Sequence, residues 1–141
     1  MIALVVATHG EFSREIVKSA EMIIGEQDNI ASITFKPGEG LEDLANKYQQ
    51  ALSELDTKEG VLFLVDLYGG SPFNTAAKLI LTEDNMDIIT GVNLPMLIEC
   101  LAQRGNSRLE TLVDKISQAA VEGVKSLKKT LVNSDDDEEE L

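Results

Sequence analysis

The chain has 141 residues, 43% of them hydrophobic and 26% charged, which indicates one globular domain with an ordinary apolar core. Acidic residues outnumber basic residues by 25 to 12 and give a formal net charge of −13, which argues against a nucleic-acid partner. The single cysteine, Cys100, excludes an internal disulfide, and no apolar run has the length of a membrane span or signal peptide, so we expect a cytoplasmic protein.

Apolar runs with strand character alternate with amphipathic helical stripes along the chain. The predicted strands are residues 2–7, 30–35, 61–65 and 87–91, and the predicted helices are residues 12–24, 41–55, 71–81, 96–103 and 109–131. Ser71 is the expected N-cap of the third helix, with Pro72 at its first position. This order predicts an α/β fold with a doubly wound, mostly parallel sheet of four strands and helices on both faces.

The carboxyl end of the chain is strongly acidic, because six acidic residues occupy positions 135–140. A segment of this composition has little apolar surface to bury and favours disorder. We therefore predict one domain over residues 1–131, followed by a disordered acidic tail over residues 132–141.

The residues with chemical potential follow the ends of the predicted strands. His9, the only histidine, follows the first strand, and Asp66 follows the third, directly before the loop that leads to Gly70 and Ser71. Open parallel sheets bind ligands outside the carboxyl ends of their strands. We therefore expect these side chains to form one site.

A histidine nitrogen is a competent nucleophile toward phosphorus near neutral pH, so the cluster indicates phosphoryl transfer through His9. Asp66 could accept a hydrogen bond from one ring nitrogen and aim the other outward. Free N–H groups at two helix starts would bind the phosphoryl group, which assigns phosphate binding to Gly10, Gly70 and Ser71. Each residue also has a purely structural interpretation, as a loop histidine, a turn aspartate or a helix cap.

Four stretches, taken together, resemble a known family. They are Ala-Thr-His-Gly at residues 7–10, Phe-Lys-Pro-Gly-Glu at 35–39, Gly-Val-Leu-Phe-Leu-Val-Asp-Leu-Tyr-Gly-Gly-Ser-Pro-Phe-Asn at 60–74, and Gly-Val-Asn-Leu-Pro-Met at 91–96. Over residues 1–131 the chain is similar to the enzyme IIA component of the mannose family of the bacterial phosphoenolpyruvate-dependent sugar phosphotransferase system.

The resemblance implies that His9 is phosphorylated, that Asp66 is its hydrogen-bond partner, and that Ser71 lies in the phosphate-binding loop. It also implies the phosphocarrier HPr as donor, a IIB protein or domain as acceptor, and the membrane components IIC and IID as indirect partners. No metal or organic cofactor is implied. Family members form homodimers that exchange a C-terminal strand, for which residues 130–133 are the candidate here.

Two other enzyme classes share parts of this pattern. A response-regulator receiver would carry its phosphoryl group on Asp66, but the magnesium-binding acids expected after the first strand are replaced by Thr8, His9 and Gly10. A hydrolase could combine Ser71, His9 and Asp66 as a triad, but the G-x-S-x-G elbow is absent.

A regulatory or binding module is the alternative from a different class, because IIA-like domains also occur in a dihydroxyacetone kinase subunit and in transcriptional regulators. A flavodoxin-like cofactor binder is the weakest alternative. The loop after the first strand is not rich in Ser or Thr, and aromatic residues are only 4% of the chain.

Overall fold

The computed structural model describes residues 1–135, which form a four-stranded parallel sheet between two layers of helices. The strands are β1 (Ala3–His9), β2 (Ile30–Phe35), β3 (Val61–Val65) and β4 (Met86–Ile89). The helices are α1 (Phe12–Ile24), α2 (Leu41–Glu54), α3 (Ser71–Ile80), α4 (Leu94–Gln103), α5 (Leu109–Glu122) and α6 (Leu127–Asp135). The predicted doubly wound α/β fold with four strands is confirmed.

The strand order β2-β1-β3-β4 places β1 and β3 side by side at the centre of the sheet. Their parallel register pairs Ala7 with Val65, so the two strands end at the same level. The chain reaches β2 on one side of β1 and β3 on the other, which makes the β1–β3 boundary the topological switch point of the sheet. The ends of these two strands are therefore where a ligand site is expected.

Both faces of the sheet are covered, which explains the nearly continuous apolar sequence of β1 and β3. Alternate residues of β1, such as Leu4 and Val6, pack with α1, α4 and α5. The intervening residues, such as Val5, pack with α2 and α3. No helix among residues 1–135 is long and apolar enough to cross a membrane.

The predicted single helix over residues 109–131 is wrong, because the chain leaves the helix at Gly123 and starts α6 at Leu127. A Cβ atom at position 123 would lie 2.5 Å from Pro95 Cγ, so the close approach of α5 to Pro95 requires glycine. Glycine is also a poor helix former. After it, the Val124 N–H donates to the Val121 carbonyl in a tight turn that ends α5.

The region predicted as an exchanged strand and a disordered tail is helical as far as Asp135. The Thr130 N–H and hydroxyl both donate to the Ser126 carbonyl, which closes the first turn of α6. The candidate strand at residues 130–133 is therefore corrected to helix, and the acidic tail predicted from residue 132 stays a prediction. The rest of the predicted tail, residues 136–141, lies outside the described residues, and the homodimer stays a prediction.

Candidate functional site

His9 and Asp66 meet at the carboxyl ends of β1 and β3. Asp66 Oδ2 lies 2.9 Å from His9 Nδ1 and accepts a second hydrogen bond, at 3.0 Å, from the His9 backbone N–H. Asp66 Oδ1 accepts from the Leu67 N–H at 3.1 Å. A carboxylate only accepts hydrogen bonds, so this arrangement places the imidazole proton on Nδ1 and leaves a lone pair on Nε2.

The imidazole of His9 is held between two groups and is open to solvent. Its side chain is 45% exposed, whereas that of Asp66 is 16% exposed. Phe35 meets the ring edge-on at a centroid distance of 6.0 Å. A Cβ atom at Gly70 would lie only 2.9 Å from His9 Cε1, so the backbone at Gly70 touches the ring near Nε2. The ring is held on these sides while almost half of the side chain stays exposed to solvent.

The β3–α3 loop (residues 66–70) leads into α3, whose N-cap is Gly70. The prediction of Ser71 as N-cap is wrong, because Gly70 holds the extended backbone of a cap and Ser71 is already helical. Within residues 1–135, neither the N–H of Gly70 nor that of Ser71 donates to a protein acceptor. Two free donors at the positive end of a helix dipole therefore lie beside His9.

The serine hydroxyl of the predicted hydrolase triad does not join the pair. Within the described chain, no hydrogen bond connects Ser71 to His9, whose Nδ1 is bound to Asp66. Ser71 lies next to Gly70, which contacts the ring. The arrangement brings Ser71 to the site as a neighbour of the imidazole rather than as a nucleophile activated by it.

The backbone of Gly10 pairs with β2 at the start of the turn into α1. Its N–H donates to the Phe35 carbonyl at 2.8 Å and is therefore not a free donor for an anion. Its φ of 59° lies in the left-handed region, which glycine adopts at low cost as the chain turns from β1 into α1. The predicted phosphate-binding role of Gly10 stays a prediction, and its N–H is not free to support it.

Sequence reasoning missed Thr8, which connects His9 to the start of α1. Thr8 is fully buried, and its hydroxyl oxygen accepts from the Ser13 N–H at 2.7 Å while donating to the His9 carbonyl at 3.1 Å. The polar residue at the end of a wholly apolar strand was the available signal. A buried hydroxyl group in that position is expected to make hydrogen bonds.

Sequence reasoning also missed Tyr48. It is fully buried in α2, and its hydroxyl donates to the Pro72 carbonyl in the first turn of α3 at 2.8 Å. Burial, and then the negative charge of Asp66, hold the pKa of Tyr48 above its ordinary value, so the hydroxyl remains a donor. A buried tyrosine in an aliphatic stripe normally has such a partner.

The charged residues of the rim next to Phe35 pair with one another. Lys36 Nζ lies 3.3 Å from Glu11 Oε1, and Lys47 Nζ lies 2.8 Å from Glu39 Oε2. The hydrogen bond from Lys47 is the largest of the effects that lower the pKa of Glu39. Among residues 1–135, no group of three or more His, Cys, Asp or Glu side chains is placed to hold a metal ion.

The chain matches the model of a described protein family. A family model for the phosphotransferase (PTS) system fructose IIA component, EIIA-man, matches residues 3–117, a span that contains the four strands and the His9–Asp66 pair. The chain belongs to the EIIA-man family. This membership confirms the resemblance found in the sequence.

Curated relatives of this EIIA-man chain include the PTS system mannose-specific EIIAB component of Escherichia coli K12. It is 46% identical over 128 residues, which cover 90% of this chain and 40% of the relative. The chain thus spans about two fifths of the length of that relative. The PTS system fructose-specific EIIA component of Bacillus subtilis is 40% identical over 116 residues, covering 82% of this chain and 80% of the relative.

Solved structures of EIIA proteins have the same fold as this EIIA-man chain. The phosphotransferase system component EIIA of Streptococcus agalactiae superposes with a TM-score of 0.84 at 30% identity, covering 92% of this chain and 99% of the other. A PTS IIA protein associated with the fucose utilization operon of Streptococcus pneumoniae gives a TM-score of 0.82 at 30% identity, with coverages of 93% and 99%.

Proposed function

We propose that this EIIA-man protein is a phosphoryl carrier of the sugar phosphotransferase system, which accepts a phosphoryl group on His9 from phospho-HPr and passes it to a IIB protein or domain. The observation that supports this most directly is the hydrogen bond of 2.9 Å between His9 Nδ1 and Asp66 Oδ2, which leaves Nε2 unbonded on a side chain that is 45% exposed. Family membership supports the same role.

The transfer step follows from the state of the imidazole. The lone pair of Nε2 attacks the phosphorus of the donor phosphohistidine, an Nε2–P bond forms, and the N–P bond of the donor breaks as its imidazole leaves. The Nδ1 proton stays in the hydrogen bond to Asp66, so no further base is required. Asp66 stabilises the positive charge that develops on the ring during attack. Transfer to IIB is the same step with the roles exchanged.

The free N–H groups of Gly70 and Ser71 stabilise the transferred group. A phosphoryl group carries negative charge on its equatorial oxygens during transfer, and phosphoryl transfer depends mainly on positioning and charge stabilisation. Two backbone donors at the start of α3 meet that need without a metal ion. The carrier role requires only modest stabilisation, because the group has to leave again.

The proposed partners place the chain between soluble carriers and a membrane permease. HPr supplies the phosphoryl group, a IIB unit receives it, and the IIC and IID components handle the sugar, so the chain associates with the membrane complex only indirectly. The relatives are named for mannose and for fructose. The sugar is not part of this proposal, because a carrier histidine contacts the phosphoryl group rather than the sugar.

The decisive experiment is intact-mass analysis after incubation with phosphoenolpyruvate, enzyme I and HPr. We expect an acid-labile gain of one phosphoryl group in the wild-type chain and none in His9→Ala, since the chain contains one histidine. Phosphorus NMR would place the group on Nε2. Folded wild-type protein that acquires no phosphoryl group would refute the carrier role. Addition of a IIB domain should then remove the group from His9.

A further inference from the structure

The segment that carries the free donors, residues 67–73, makes few hydrogen bonds to the rest of the described chain, although Pro72 is buried and Phe73 packs against the core. Within residues 1–135 and apart from the bonds inside α3, almost all hydrogen bonds of residues 67–73 are local. The Leu67 N–H donates to Asp66, and the N–H and side-chain amide of Asn74 donate to the carbonyls of Gly70 and Gly69. The exception is the 2.8 Å hydrogen bond from Tyr48 to the Pro72 carbonyl, which spans 24 positions of sequence.

Tyr48 is held firmly enough to act as an anchor. Its side chain is fully buried in α2, and its ring meets Phe63 of β3 edge-on at a centroid distance of 5.3 Å. Phe63 belongs to the central strand that ends before Asp66. The hydroxyl therefore connects the start of α3 to the same rigid layer that carries the His9–Asp66 pair.

We propose that Tyr48 is a positioning residue for phosphoryl transfer: by holding the Pro72 carbonyl, its hydroxyl keeps the N–H groups of Gly70 and Ser71 in place beside His9. This inference rests on the proposed carrier function and extends it to a residue that touches neither the imidazole nor the phosphoryl group.

The geometry of the site is sensitive to the position of α3, because Gly70 lies very close to the His9 ring. A Cβ at Gly70 would lie 2.9 Å from His9 Cε1, so the loop backbone already lies against the ring and cannot move closer to it. The packing of Pro72 and Phe73 sets the depth of this turn but not its hydrogen-bond geometry, so loss of the Tyr48 hydrogen bond lets the first turn of α3 shift relative to the ring. Free donors then no longer hold the phosphoryl oxygens in the geometry of the transition state, and misplacement by about 1 Å can cost roughly 10²-fold in rate.

The test compares single-turnover transfer from phospho-HPr to wild-type, Tyr48→Phe and Ser117→Ala chains. Ser117 donates a similar hydrogen bond, at 2.7 Å, to the Val113 carbonyl within α5, and serves as the matched control. We expect Tyr48→Phe to lower the maximal rate constant about tenfold with an unchanged half-saturation concentration of phospho-HPr. Ser117→Ala should transfer at the wild-type rate. Amide NMR shifts of Gly70 and Ser71 should move in Tyr48→Phe only.

Replacing Tyr48 by p-aminophenylalanine restores a donor at the same place and should restore the rate. Replacement by p-fluorophenylalanine fills the volume of the hydroxyl without supplying a donor, and this variant should transfer slowly. It takes the place of Tyr48→Phe in the comparison if Tyr48→Phe does not fold. Three results would overturn the positioning role alone. They are wild-type transfer by a donor-free variant, equal slowing by Ser117→Ala, and failure of p-aminophenylalanine to restore transfer. A wild-type chain that accepts no phosphoryl group would overturn the carrier function as well.

Discussion

Oδ2 of Asp66 accepts two hydrogen bonds from His9, one from the backbone N–H at 3.0 Å and one from Nδ1 at 2.9 Å. The same oxygen therefore fixes both where β1 ends and how the imidazole is turned. The ring cannot rotate about its side-chain bonds without losing Asp66, and β1 cannot shift against β3 without moving the ring. Orientation of the nucleophile is thus coupled to the pairing of the two central strands.

Asp66→Asn should lower phosphoryl transfer strongly. Both carboxylate oxygens accept hydrogen bonds, Oδ2 from His9 and Oδ1 from the Leu67 N–H, whereas an amide has one acceptor and one donor end. In either orientation one donor faces the amide nitrogen. We expect a loss of roughly 10²-fold or more in the single-turnover rate, as for other misoriented histidines. Asp87→Asn, which alters another backbone-bonded carboxylate, is the control. A rate near that of the wild-type chain would contradict this account of Asp66.

Gly70→Ala tests the contact between the β3–α3 loop and the imidazole. The added Cβ would meet His9 Cε1 at 2.9 Å, so the ring or the loop has to move by several tenths of an ångström. We expect transfer to fall about tenfold or more, together with shifted NMR signals of the imidazole. Gly105→Ala adds the same methyl group where nothing lies within 4 Å and should leave the rate unchanged. Equal rates in the two variants would show that the loop is not a close neighbour of the reacting nitrogen.

Cys100 should report on global unfolding through its reactivity. It is fully buried in the core, and burial raises the pKa of its thiol to about 12. Native protein should therefore resist iodoacetamide near pH 8, and labelling should follow the unfolding transition in urea. Fast labelling of the native chain would contradict the buried position.

The same thiol contributes a pH dependence of stability. In the unfolded chain a cysteine ionises near pH 8.5, whereas the folded thiol keeps its proton until about pH 12. The folded state then binds more protons, so this group lowers the free energy of unfolding as the pH rises above about 8.5. We expect the decline in wild-type stability between pH 8 and 10 to be shallower in Cys100→Ala. Parallel pH profiles of the two proteins would refute this contribution.

The central architecture and the pairing of His9 with Asp66 could be predicted from the sequence, because each depends on a local signal. Runs of apolar residues mark buried strands, and parallel strands bring their carboxyl ends to one edge. Other features could not be predicted because they depend on contacts between residues that are distant in the sequence. The Gly10 N–H is used by Phe35 of the neighbouring strand, and Gly123 is required by Pro95 of another helix.

The N-cap of α3 was misassigned for a related reason. Serine followed by proline is equally compatible with an N-cap at Ser71 and with an N-cap one residue earlier. The observed N-cap, Gly70, has an extended backbone and no side chain to accept a hydrogen bond. The consequence is functional, because a cap at Gly70 leaves the N–H groups of Gly70 and Ser71 without protein acceptors in residues 1–135. Tyr48 could not be assigned, since its partner lies 24 positions away.

Arg104 provides a test of stability that is separate from the site. Its side chain is 1% exposed, and its guanidinium donates to the backbone carbonyls of Ile2 at 3.3 Å, of Asn29 at 2.8 Å and of Asp28, which joins the amino ends of β1 and β2. Arg104→Met would remove the guanidinium donor from these carbonyls, of which that of Asn29 keeps the Leu4 N–H. We expect it to lower the free energy of unfolding by about 3 kcal/mol, measured by urea denaturation at pH 7.

Arg104→Lys keeps the charge but replaces the planar guanidinium, which donates in several directions, by one ammonium group. It should therefore recover only part of the loss in the free energy of unfolding. Arg108→Met removes an exposed arginine from the same region and should change stability by less than about 0.5 kcal/mol. Because Arg104 lies at the amino ends of the strands and His9 at the carboxyl end, the folded Arg104 variants should accept phosphoryl groups at the wild-type rate. Slower transfer at a temperature where they are fully folded would show that the two ends of β1 are coupled.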